Sequence, residues 1–217
     1  MKFLKILILT SAVLIALSSP AMAAWTRNKE INADAIYRTG AYGYNHAGVF
    51  YINSTGSTFG SYEARGDGPV VFSSMNDFIG TETYYGPHYR STVDTSTERD
   101  SIIQTCKDLA NNSTLGYTWT DCLNPESNVG SYISPDEVAE IRCDGVVEYA
   151  YEWNNFWVWG KSSTGTSSGT PTNHDISYIN YYGEHNNLGK DSPWVELSPY
   201  VQRGAAGTSW TLLKKRV

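Results

Sequence analysis

The sequence predicts an α+β fold in a single domain spanning residues 24–217, and three observations carry that expectation. Short β-prone runs punctuated by Gly, Asn and Ser follow one another from Ala47 to Phe72. Two later stretches carry apolar residues at helical spacing behind recognisable helix starts. No internal repeat and no domain-sized linker divides the chain.

The residues ahead of this domain read as a secretory signal. Lys2 and Lys5 give a positive start, Ile6 to Leu17 form an apolar run, and Ala21-Met22-Ala23 places small residues where a signal peptidase reads. The apolar run is about a dozen residues, short of the roughly 20 that span a bilayer. Cleavage is expected near Ala23, leaving a secreted or periplasmic product without a permanent membrane span. Losing Lys2 and Lys5, and no acid, takes the formal charge from −6 to −8. An acidic chain without a basic stripe is a poor candidate for nucleic acid or an anionic membrane.

Along the domain, Ala33 to Tyr37 leads into a Gly/Tyr/Asn-rich turn, and Ala47 to Ile52 reads as a strand. Asn53 to Gly60 is turn-like, Ser61 to Ala64 is the returning strand, and Arg65 to Gly68 is a second turn before a third strand, Pro69 to Phe72. Together they predict an antiparallel meander. The Tyr-rich stretch to Arg90 has no clear period, and His88 reads as a surface residue. Thr97 with Asp100 predicts a helix start, after which Ile102, Ile103, Cys106, Leu109 and Ala110 share one face and Asn111-Asn112 ends it. Ser134, Pro135 and Glu137 predict a second, short helix leading towards Cys143. From Cys143 onward Val146, Val147, Ala150 and Tyr151 repeat at helical spacing. Lys161 to Thr172 reads as a flexible polar loop and Ile176 to Tyr182 as another strand. Trp153, Phe156, Trp157 and Trp159 fit a packed aromatic core better than an exposed groove wall. The sequons at Asn53 and Asn112 matter only in a host that glycosylates.

Three cysteines remain: Cys106, Cys122 and Cys143. An exported chain with an odd count invites one disulfide and one thiol, with three pairings open. Cys143 stands at a predicted helix start, where the positive end of the helix dipole favours a thiolate. Gly145 leaves room beside it, and the first backbone N–H groups of the helix can receive an oxyanion. There is no Cys-x-x-Cys, and His46, His88, His174 and His185 do not cluster in sequence, so no metal or other cofactor is expected.

The neighbours of Cys143 add a resemblance. Cys143-Asp144-Gly145-Val146-Val147-Glu148-Tyr149-Ala150-Tyr151 resembles the signature that opens the catalytic helix of NlpC-type, papain-like cell-wall peptidases. In most of that family the His follows the Cys, on a strand reading His-x-Gly-aliphatic-aromatic. Here His46-Ala47-Gly48-Val49-Phe50-Tyr51 comes first. The chain therefore resembles the circularly permuted branch of that superfamily, which includes exported bacterial proteins and the lecithin–retinol acyltransferase group. Asp34 to Arg38 is similar to the strand before the His strand, Ser61 to Ala64 to the strand supplying the third polar residue, and Asn76-Asp77-Phe78 to the turn that closes the barrel. The similarity covers roughly Ala33 to Phe78 and Ser134 to Tyr151.

The resemblance implies a papain-like, circularly permuted fold, a small antiparallel sheet or barrel packed on the catalytic helix. It implies Cys143 as nucleophile, His46 as base and acid, Glu63 as the group that orients the imidazole, and Tyr117 near the oxyanion. The implied activity is a cysteine peptidase or amidase acting on a small peptide or cell-wall substrate. Ester hydrolysis or acyl transfer on lipid acyl groups, and a non-catalytic binding module with an aromatic groove, are the alternatives. If Cys143 stays reduced in order to act, Cys106 and Cys122 are left to pair. A rival order is present in His174 and His185, which mimic the unpermuted arrangement. His174 follows Cys143 by only 31 residues and lacks the Gly two places on.

Overall fold

The computed structural model describes residues 25–27, 29–40, 44–119, 122–126, 133–156, 158, 198–204 and 213–217. The signal segment, the Lys161–Thr172 loop, the Ile176–Tyr182 strand, Trp157, Trp159, His174 and His185 lie outside the described residues.

The architecture is α+β, as the patterning predicts. The chain runs through β1 (Ala35–Thr39), β2 (Asn45–Ile52), β3 (Phe59–Ala64), β4 (Val70–Ser74), α1 (Met75–Ile79), β5 (Tyr84–Tyr89) and α2 (Ser96–Asn111). It continues through β6 (Gly116–Tyr117), β7 (Leu123–Pro125), a 3₁₀ turn (Pro135–Glu137), β8 (Val138–Ile141), α3 (Cys143–Glu152), α4 (Pro199–Gln202) and β9 (Lys214–Lys215). The main sheet has the order β4-β3-β2-β1-β5-β9, and every pair in it is antiparallel. A second sheet has the order β6-β8-β7, with β6 parallel and β7 antiparallel to β8.

The period-two alternation of β2 divides the apolar residues between two cores. Ala47 and Val49 join Ala35 and Tyr37 in the larger core, which α2 and α3 close with Ile102, Leu109, Val146 and Val147. Phe50 points the other way and packs with Ile36, Met75 and Phe78. The stretch expected to turn at Asn76-Asp77-Phe78 is the short helix α1, because Ser74 caps it by accepting the Asp77 N–H. Gly48 lets β3 pass close to β2: a Cβ there would lie 2.1 Å from Ser61 Oγ.

Helix α2 starts two residues earlier than the Thr97–Asp100 spacing predicts. Its N-cap is Thr95, whose hydroxyl accepts the Glu98 N–H while the Glu98 carboxylate accepts the Thr95 N–H at 2.9 Å. A glutamate at the third position reaches back to the N-cap; the shorter Asp100 has no such partner position. The predicted face of Ile102, Ile103, Cys106 and Leu109 is buried. Asn112, which follows, donates from Nδ2 to the carbonyls of Pro135 and Val138 at 3.1 and 3.0 Å, so its amide is used inside the fold.

The helix expected from Ser134 to Cys143 lasts one 3₁₀ turn. Ser134 and Glu137 form the capping box, but β8 follows, because Val138 and Ile141 are buried in the larger core and β8 pairs with both β6 and β7. The expectation for His88 is also corrected. It is 3% exposed, edge-on to Tyr37 at 5.0 Å, with Nδ1 3.2 Å from the Gly86 carbonyl. Burial, with Lys215 and Arg203 nearby, lowers its pKa to about 4.

The Cys106–Cys122 bridge is not formed; no disulfide joins the three cysteines, all of them described. Cys106 is buried in the middle of α2, and burial pushes its thiol pKa up. Cys122 immediately precedes β7, and its carbonyl accepts the N–H of Arg142, the N-cap of α3, at 3.0 Å. Near the C-terminus, Arg216 grips Asp34 through two hydrogen bonds and ties β9 to the entrance of β1. Phe156 is buried and Trp153 stacks on Tyr149 at 5.8 Å. Among the described residues no helix is long and apolar enough to cross a membrane.

Candidate active site

Cys143 is the first residue of α3, after Arg142 in extended conformation as N-cap. The first-turn N–H groups of a helix have no partner within the helix, which makes its N-terminus favourable to negative charge. Asp144 would place a negative charge beside Cys143, but the Arg142 guanidinium holds that carboxylate with Nε–Oδ1 and Nη2–Oδ2 bonds of 2.6 and 2.7 Å. Although burial disfavours the charge on Arg142, Asp144 outweighs it and raises the guanidinium pKa. Gly145 lets the second sheet press on this turn: a Cβ at Gly145 would lie 2.1 Å from the Cys122 carbonyl oxygen.

The same sheet delivers Tyr117. Its strand β6 runs parallel to β8 with Tyr117 opposite Ile141, two residues before Cys143. Burial first, then the nearby Cys143 and Asp144, raises the Tyr117 phenol pKa. Trp119 lies edge-on to Tyr117 at 4.9 Å and covers Gly66 in the turn between β3 and β4.

The main sheet supplies the imidazole. His46 is the second residue of β2, and its Nε2 lies 2.5 Å from Glu63 Oε2 on β3. Cys143 lies close enough to His46 to favour the charged form of the imidazole. Glu63 is 1% exposed; Arg65 Nε donates to its Oε1 at 3.1 Å, and Ser73 lies close enough to favour the carboxylate. Arg65 in turn donates from Nη2 to Ser73 Oγ at 2.6 Å. Burial would raise the Glu63 pKa, but His46, Ser73 and Arg65 outweigh it, and the group stays a carboxylate. Burial likewise disfavours a charged His46, yet Cys143 and Glu63 together raise its pKa to about 9.

The four residues singled out in the sequence, Cys143, His46, Glu63 and Tyr117, thus meet in one place, although they come from two sheets and a helix. Arg65, Ser73 and the Arg142–Asp144 pair were not singled out. Arg65 stands two residues after Glu63, on the same face of an extended chain, which is the signal that could have found it. The pairing of Ser73 depends on β4 register and has no sequence signature. The rival residues His174 and His185 lie outside the described residues. No group of three or more His, Cys, Asp or Glu side chains among the described residues is arranged to hold a metal ion. Comparison with protein-family models, with curated proteins and with solved structures gave no match in any of the three. The site thus brings together a thiol, an imidazole, a buried carboxylate paired with the imidazole, and a phenol.

Proposed function

We propose that the chain is an exported thiol hydrolase that cleaves an amide through an acyl-enzyme on Cys143, in the manner of a circularly permuted, papain-like peptidase. The observation that carries this reading is the His46 Nε2–Glu63 Oε2 pairing at 2.5 Å, with Cys143 near enough to His46 to raise the imidazole pKa. Thiol nucleophiles are activated by such an imidazole, and the imidazole by a third group that fixes its orientation. The Cys143 thiolate attacks the carbonyl carbon, and the N–H groups at the start of α3, with the Tyr117 hydroxyl, receive the oxygen as it gains charge. His46 gives its proton to the departing amine, then takes one from the water that releases the acyl group. Peptides of the cell wall fit this chemistry, and an ester follows the same steps with an alcohol as leaving group.

The test is acylation of Cys143 by p-nitrophenyl acetate, mapped by peptide mass in the wild type, His46→Ala and His174→Ala. The expected result is selective acetylation of Cys143 that His46→Ala abolishes and His174→Ala preserves. Acetylation without preference for Cys143, or loss of it only in His174→Ala, overturns the assignment.

A further inference from the structure

Arg38 is a cation beside this site that no carboxylate of the described residues holds within ion-pair distance. It lies in β1 directly opposite His46 in β2. Directly paired residues of antiparallel strands project to the same face. Both side chains rest over the Phe78 ring, with the His46 ring centroid 5.6 Å and the Arg38 guanidinium carbon 5.4 Å from its centre. Arg38 is thereby close enough to Glu63, Glu82 and Cys143 to feel their charge. The other arginines with a structural task are committed: Arg65 to Glu63, Arg142 to Asp144 and Arg216 to Asp34. Arg38 has one hydrogen bond, from Nη1 to the Thr39 carbonyl at 2.8 Å, and its buried Nε–H has no partner among the described residues.

A partly buried guanidinium with an unused N–H is unfavourable until an acceptor completes it. The planar fork of arginine matches a carboxylate, taking it through two parallel hydrogen bonds. In a chain of net charge −6, an uncommitted cation next to the nucleophile is placed to select an anionic substrate. We propose that Arg38 is a specificity-determining residue that binds a substrate carboxylate a few atoms from the scissile carbonyl. The preferred substrates are then acyl compounds carrying an acidic group close to the cleaved bond. This inference rests on the reading of Cys143 as the nucleophile.

Paired alkylating reagents separate the two claims. Iodoacetate and iodoacetamide, and N-iodoacetylglycine and its amide, react alike: the thiolate forms an S–C bond and iodide leaves. Within each pair only the carboxylate differs. The quantity read is the rate ratio of acid to amide at Cys143, divided by the same ratio for N-acetylcysteine, so that any change in the thiol's own reactivity cancels. The wild type is expected to favour the acid by about tenfold in at least one pair, Arg38→Gln to bring the ratio near one, and Arg38→Lys to keep part of it. An equal ratio in wild type and Arg38→Gln overturns the assignment of Arg38 while leaving the nucleophile intact. Alkylation of Cys143 by either amide no faster than N-acetylcysteine overturns the nucleophile reading, and the inference with it.

Discussion

Around Cys143 the neighbouring charges are paired: His46 meets Glu63, and Arg142 holds the Asp144 carboxylate by a two-bond grip. Cys143 and Glu63 together favour the charged form of His46, and His46, with Ser73 and Arg65, keeps Glu63 a carboxylate although it is 1% exposed. Glu63→Gln keeps the shape and removes that charge. The acylation rate of Cys143 is expected to fall by about a hundredfold or more, as it does where the third member of such a triad loses its charge. A fall of less than about threefold would mean that Glu63 is not the orienting group.

Two neighbouring elements set the geometry: the first turn of α3 and the second sheet that presses on it. Gly145 is the contact point, and the two effects of Gly145→Ala oppose each other. Alanine favours a helix by about 1 kcal/mol over glycine. Its Cβ would, however, lie 2.1 Å from a backbone oxygen of Cys122 and 2.9 Å from Ile141 Cγ1, and backbone cannot step aside as a side chain can. The clash wins, and a net loss of about 1–3 kcal/mol is expected in urea denaturation. Gly68→Ala is the control, because a Cβ there meets nothing within 4 Å, and it is expected to change stability by no more than about 0.5 kcal/mol. The strand and helix patterns of these elements were readable in Ala47–Ile52, Ser61–Ala64 and the repeat after Cys143. Strand β8 was not, since a capping box at Ser134 signals a helix locally and the buried Val138 and Ile141, three residues apart, show no period-two alternation. There the pairing with β6 and β7 overrode the local preference.

Over the whole molecule, the site is assembled from parts far apart in the chain. Residues 46 and 63 come from the main sheet, 117 from the second sheet, and 143 from the helix packed against β2. Their types and order could be read from the sequence because His46-x-Gly48 and Cys143-x-Gly145 are local patterns whose glycines answer close approaches, of Ser61 and of Cys122. What could not be read is what depends on burial. His88 in Gly-Pro-His-Tyr carries no mark of its contact with Tyr37, and the cysteine count carries no mark of where α2 places Cys106. The far end of the chain was equally silent, yet Arg216 closes on Asp34, so that β9 completes the main sheet beside β5.

The central claim is that His46 activates the Cys143 thiol, and the pH dependence of iodoacetamide alkylation tests it most directly. A His46 pKa raised to about 9 means that the imidazolium is present throughout the range below that value, and is lost only as pH rises through it. The wild type should therefore stay reactive at pH 6–7. His46→Ala should lose that reactivity by about a hundredfold at pH 6.5, and recover it only as an ordinary thiol ionises near 8.5. If the two profiles coincide, with both rising only near the ordinary thiol value, His46 does not activate Cys143 and the account fails.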